Sequence, residues 1–252
     1  MPSKSYLLLS LAGHAMTAWA TCAPGYFMPI LSNFQLQLPY SSGGSGPLFV
    51  PGSQLSGCDG FQNPSWFYWN ETTSHLVMNA PPSSSNCPKT SNSQHCRTEL
   101  REQNPSSWSA SDTNVMTVEL TVPKADDGRY GTVIGQVFSA EWSKPVAELY
   151  YSPSGELNMG VEQSKNGGNS IFTSVGNVPE GTKFTYELSY SNDVLSFSLN
   201  GGAKQTFDTS QLGYPDSYFK VGDYNQGTDV YSKVNIYSIS IVHDPRQHAA
   251  VT

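Results

Sequence analysis

Between Gln94 and Glu102 the chain reads QHCRTELRE, and four ionisable side chains, His95, Arg97, Glu99 and Arg101, fall at alternate positions. On an extended strand all of them point to one face, and Cys96, Thr98 and Leu100 point to the other. The same alternation runs through YFKVGDYNQ, which puts Tyr218, Lys220, Gly222, Tyr224 and Gln226 on one face and Phe219 and Val221 toward a core. In GTVIGQVFS, Gln136 and Phe138 share a face opposite Val133, Gly135 and Val137. If these strands are neighbours, they build a concave surface carrying Arg97, Arg101, Lys220, Gln136, Tyr218 and Tyr224. Arginine forks match carboxylates and amides match hydroxyls, so such a surface suits an acidic, hydroxyl-rich chain.

Strand-like runs recur along the chain at sandwich spacing: His75–Asn79, Cys96–Glu102, Asn114–Val122, Gly131–Ser139 and Ala147–Tyr151, then Leu157–Glu162, Lys183–Ser191, Val194–Leu199, Tyr218–Tyr224 and Val234–His243. Asn200-Gly201-Gly202 closes a hairpin. Tyr40–Ser56 and Asn79–Ser93 read as long surface loops, and a short helix is expected around Asp208–Leu212. Helix is otherwise scarce. With charged residues at only 13% and aromatics at 12%, the expectation is an all-β fold, two stacked antiparallel sheets forming a jelly-roll sandwich with a concave groove.

Residues 1–20, MPSKSYLLLSLAGHAMTAWA, read as a secretory signal peptide, with Lys4 ahead of a short apolar run and Ala18-Trp19-Ala20 as a cleavage site. That run is too short to span a bilayer. The expectation is therefore a secreted protein with one domain over residues 21–252. Cys22, Cys58, Cys87 and Cys96 form an even set, which outside the cell favours two disulfides. Three pairings are possible; the spacing favours Cys87–Cys96 as a local staple and Cys22–Cys58 as a tie on the N-terminal segment. Asn70-Glu71-Thr72 is a glycosylation sequon. A formal net charge of −7 argues against nucleic acid or anionic membranes as partners. Cysteine spacing does not suit zinc, and Asp126-Asp127-Gly128 reads as a turn rather than a calcium loop. No metal, cofactor or membrane is expected, and the chain reads as a monomer.

At the three groove strands the sequence resembles polysaccharide lyase family 7, the jelly-roll alginate lyases. RTELR (Arg97–Arg101) and YFKVGDYNQ (Tyr218–Gln226) match that family's signatures completely. The third signature, Q-(I/V)-H, departs: here it is Gln136-Val137-Phe138, with phenylalanine where the family has histidine. The resemblance implies β-elimination on a polyuronate, with Arg97 and Gln136 holding the uronate carboxylate and Tyr224 protonating the leaving oxygen at C4. The family's missing histidine is the usual base for guluronate, whose C5 proton and C4 oxygen lie on opposite faces. In mannuronate and glucuronate they lie on one face, where a single tyrosine serves as base and then acid. The departure therefore points to mannuronate-rich alginate, with glucuronan as the alternative.

His95 is a candidate replacement for the lost imidazole, and flanking Lys220 and arginines are expected to favour the Tyr224 phenolate. Arg101, Lys220, Tyr218 and Gln226 are expected to bind substrate, and Phe138 either stacks on a sugar or fills the missing ring's place. Glu99 reads as structural, orienting the arginines. Trp66, Trp69 and Trp108 read as packing, and His75, His243 and His248 as bland. A non-catalytic carbohydrate-binding jelly roll remains a competing reading. A glycoside hydrolase needs paired carboxylates flanking the bond, and no E-x-D-x-x-E strand is present.

Overall fold

The computed structural model describes residues 22–91 and 93–245; the expected leader and His248 lie outside the described residues. In chain order the strands are β1 (Phe34–Leu38), β2 (Leu48–Val50), β3 (Phe67–Asn70), β4 (His75–Ala80) and β5 (Arg97–Glu102). There follow β6 (Thr113–Lys124), β7 (Thr132–Ser139), β8 (Pro145–Tyr151), β9 (Glu156–Val161) and β10 (Ile171–Asn177). The last five are β11 (Phe184–Ser191), β12 (Val194–Leu199), β13 (Gln205–Phe207), β14 (Ser217–Tyr224) and β15 (Ser232–Asp244). They form an eight-stranded sheet in the order β10-β9-β8-β7-β14-β5-β1-β2 and a seven-stranded sheet in the order β13-β12-β11-β6-β15-β4-β3. Every described pairing is antiparallel, and the two sheets stack as a jelly-roll sandwich.

Each strand expected from alternation is present. The segment read as a loop from Tyr40 to Ser56 contains β2, and β1, β3, β10 and β13 were not expected. β2, β10 and β13 are edge strands, short or largely exposed, so pairing defines them rather than a hydrophobic pattern. The helix expected near Asp208 is a single 3-10 turn, Ser210–Leu212.

Register explains how one sheet serves both core and groove. Leu36, Leu100, Val221, Gly135, Leu149 and Met159 lie side by side across six strands. This row faces the second sheet and joins a buried cluster with Tyr186, Leu188, Phe197 and Ile236. One residue along each strand, the opposite face carries Gln35, Arg101, Lys220, Gln136, Glu148 and Gly160. A one-residue slip would exchange the two rows, so burial of the aliphatic row fixes the polar one. At one end, Glu102 of β5 accepts from Trp108 Nε1 at 2.9 Å and contacts His243 Nε2 of β15 at 2.7 Å, tying the sheets together. Trp108 and His75 are buried, and Trp66 and Trp69 pack against the core, as packing roles require.

Gly222 sits at a β-bulge in β14, with φ +150° and an ideal Cβ only 2.6 Å from the Thr98 carbonyl oxygen of β5. Any side chain there pushes β5 and β14 apart. Gly222→Ala is expected to cost about 2–3 kcal/mol, from backbone strain and overpacking together. Thermal unfolding checks this; an unchanged melting temperature would contradict the close approach.

Both favoured disulfides form, Cys22–Cys58 and Cys87–Cys96. Asn70 ends β3, at the turn into β4. Among the described residues no helix is long and apolar enough to cross a membrane.

Candidate active site

The polar face of the larger sheet lines a groove of about 720 Å³. The three strands singled out from sequence are consecutive in it, in the order β7-β14-β5. Tyr224 lies opposite Arg97, Lys220 opposite both Arg101 and Gln136, and Tyr218 opposite Phe138. Arg97, Arg101, Gln136, Phe138, Tyr218, Lys220 and Tyr224 all line the groove.

Glu99 is the hub. Its buried carboxylate accepts from Arg97 Nη1 at 2.9 Å, from Lys220 Nζ at 2.9 Å, and from Gln136 Nε2. Burial pushes the Glu99 carboxyl up, but Lys220 and Arg97 overcome it and hold it below the usual range. Burial draws the Lys220 ammonium down while Glu99 resists, and Arg97 stays charged beside Glu99 and Tyr224. Two cations and an amide are thus fixed by one anion, which is what allows charges this buried to persist. The sequence expectation that Glu99 orients arginine is met at Arg97. Arg101 instead lies over the Tyr218 ring, 4.2 Å from its centroid.

The groups around the hub keep unused capacity. Arg97 Nε, Arg101 Nε and Gln136 Oε1 are buried without a hydrogen-bond partner. Buried polar atoms are ordinarily satisfied, so these are places for a ligand's oxygens and hydroxyls.

Tyr224 stacks under Arg97, whose guanidinium carbon is 3.4 Å from the ring centroid. Its hydroxyl meets Ser93 Oγ at 2.8 Å. The expected phenolate does not prevail at rest. Burial raises the phenol above its ordinary value, and the opposing pull of Arg97 and Ser93 is not enough to reverse that.

Two expected residues are placed differently. β5 begins at Arg97, so His95 lies in the preceding loop and not on the strand face. Its ring is edge-on to Tyr224, centroids 6.2 Å apart, its Nδ1 is buried without a partner, and it does not line the groove. Burial and Arg97 keep its pKa low, so the imidazole is neutral near neutral pH. Gln226 lies beyond the end of β14 with its backbone N–H on Asp126 Oδ2 at 2.7 Å, away from the groove lining. Asp127 likewise accepts from the backbone of Thr228, Asp229 and Val230, so the Asp126-Asp127 turn pins the loop that follows Tyr224. Phe138 stacks on Tyr218 with centroids 5.4 Å apart, and Lys220 Nζ lies 4.7 Å from its ring. It fills its place with an apolar ring that transfers no proton.

Sequence reasoning missed Ser93, Glu148, and the pair Gln35 and Gln37, all on the groove wall. The alternation in FQLQL could have found Gln35 and Gln37. Ser93 lies within the loop that Cys87–Cys96 closes, and its contact with Tyr224, 131 residues away, is one that no local pattern announces. Among the described residues no cluster of His, Cys, Asp and Glu could hold a metal ion.

Comparison with known proteins supplies a family. The alginate lyase family profile matches residues 29–243. No curated protein matches the chain in sequence. Among solved structures, it is similar to the family 7 alginate lyase A1-II′, in a doubly substituted variant in complex with substrate, at 22% identity and TM-score 0.76, covering 91% of this chain and 100% of that one. It is also similar to the alginate lyase from Klebsiella pneumoniae at 21% identity and TM-score 0.72, covering 88% and 98%. For the alginate lyase from Corynebacterium sp. the values are 20%, 0.72, 90% and 100%. At these identities the likeness establishes the fold, and the family rests on the profile.

Proposed function

This chain belongs to the alginate lyase family of polysaccharide lyases, and on that premise we propose that it is a secreted lyase cleaving mannuronate-rich alginate by syn β-elimination. The observation that carries the reading is the convergence of Tyr224, Arg97, Gln136 and Lys220 around Glu99 in one groove. A uronate carboxylate docks against the unspent guanidinium N–H groups of Arg97 and Arg101 and the second Nε2 hydrogen of Gln136. The unpartnered Gln136 Oε1 takes a sugar hydroxyl. With the carboxylate's charge offset, the C5 proton becomes acidic enough to leave.

Tyr224 takes that proton, the C5–H electron pair becomes the C4=C5 double bond, and the C4–O4 bond breaks. Tyr224 then returns the proton to O4. To act first as base the phenol must be deprotonated against the effect of burial. Arg97 over its ring and Ser93 at its hydroxyl favour that form. His95, neutral and edge-on to the Tyr224 ring, stands beside the phenol rather than against the sugar, and the phenol's proton is released to solvent before the C5 proton is taken. Phe138, with no titratable group, removes the second base that a guluronate substrate calls for. Glucuronan shares the same-face geometry and is the second reading. The two disulfides, together with the leader-like sequence of residues 1–20, support the reading of a secreted single catalytic domain.

Incubation with polymannuronate, polyguluronate and glucuronan, read by the ultraviolet absorbance of the unsaturated product, tests the proposal. Polymannuronate is expected to exceed polyguluronate by about tenfold or more in kcat/KM, the scale on which a misplaced base discriminates. Equal rates on both would overturn the syn assignment. Binding without unsaturated product would leave a carbohydrate-binding protein instead.

A further inference from the structure

The groove contains a carboxyl group that the reaction above does not use. Glu148 lies on β8 directly opposite Gln136 and lines the groove. Unlike Glu99, it forms no ion pair among the described residues. One hydrogen bond holds it: the Tyr150 hydroxyl donates to its Oε2 at 2.6 Å. An unpaired carboxylate in a site for a polyanion would repel its own substrate, whereas a carboxylic acid would donate to it.

We infer that Glu148 acts as a protonated carboxyl that donates a hydrogen bond to the uronate carboxylate, supplying the donor that Phe138 cannot. This rests on the elimination reading above. Tyr150 occupies Oε2, which leaves Oε1 to carry the proton. Arg97 of β5, Lys220 and Tyr224 of β14, Gln136 of β7 and Glu162 beyond β9 share the groove with it, and the buried Glu99 of β5 acts on it through its charge. Burial raises the Glu148 carboxyl above the ordinary range, although Tyr150, Arg97 and Lys220 pull it down. A docked uronate adds a second negative charge beside it and raises it further, since two adjacent carboxylates share a proton rather than both ionise.

As the C5 proton leaves for Tyr224, negative charge moves onto the oxygens of the C6 carboxylate. A fixed neutral O–H is worth most there and then. The Glu148 proton stays on Glu148 throughout, so the step consumes none.

The experiment is the pH dependence of kcat and KM on polymannuronate for wild type, Glu148→Gln, Glu148→Ala and Tyr150→Phe, each checked for folding by thermal melting. Wild type is expected to lose kcat on the alkaline side as Glu148 ionises. Glu148→Gln keeps an N–H donor at every pH, so that limb flattens. Glu148→Ala is expected to lower kcat by about a hundredfold, with KM little changed. Tyr150→Phe removes a hydrogen bond that favours the carboxylate, so the limb moves to higher pH. An unchanged limb in Glu148→Gln overturns the inference. So does a folded but inactive Glu148→Gln, which would make Glu148 a base. Either result leaves the elimination reading standing; a fully active Tyr224→Phe removes that reading and this inference together.

Discussion

Tyr224→Phe is expected to abolish elimination, lowering kcat by about ten-thousandfold, the upper range for losing a proton-transfer group. The magnitude follows from the double duty proposed for this phenol, which both removes the C5 proton and returns it to O4. Structure argues that the loss is chemical. Phenylalanine keeps the ring on which Arg97 stacks at 3.4 Å and forfeits only the hydroxyl contact to Ser93. The melting temperature should therefore stay close to wild type, and polymer binding should persist. Turnover within about tenfold of wild type would mean that another group moves the proton.

The second large effect is structural in origin. Glu99→Ala strands Arg97 and Lys220 in a buried site without the anion that holds both at 2.9 Å. Removing one partner of a buried charge network costs about 3–5 kcal/mol. In a domain of this size that lowers the melting temperature by about 10 °C or more. Activity should vanish as well, because Arg97 and Gln136 lose the carboxylate that aims them. Pairing the change with Lys220→Met should recover part of the stability without the activity, since the two positions share one network. The pH dependence has a fixed sign. Glu99's folded pKa lies below its unfolded value, so its stabilisation is complete above the ordinary carboxylate range and is lost as pH falls through the depressed value. Glu99→Ala should lack that acid-side loss. A melting temperature unchanged from wild type would refute the hub.

Some of this site was legible without coordinates because strand alternation is strictly local. Arg97, Glu99 and Arg101 had to share a face, and so did Tyr218, Lys220 and Tyr224, whatever the strands paired with. Gln226 broke the pattern because the strand ends at Tyr224 and the Asp126 carboxylate captures the next turn. His95 broke it because pairing on β5 begins two residues later.

The sequence by itself determined an all-β chain, an even cysteine set with Cys87–Cys96 favoured as a local staple, and the face on which each polar row stands; which of the three cysteine pairings forms was decided by the fold. Period-two patterning and short cysteine spacing act within a few residues, and a reader of the chain meets them directly. Only the tertiary structure decided that β7, β14 and β5 are consecutive, that Glu99 gathers two cations and an amide, and that Ser93 and Glu148 join them. Those are contacts between segments as much as 131 residues apart, as Ser93 and Tyr224 are. They are set by which aliphatic row the second sheet buries, and burial of that kind is a property of the folded whole.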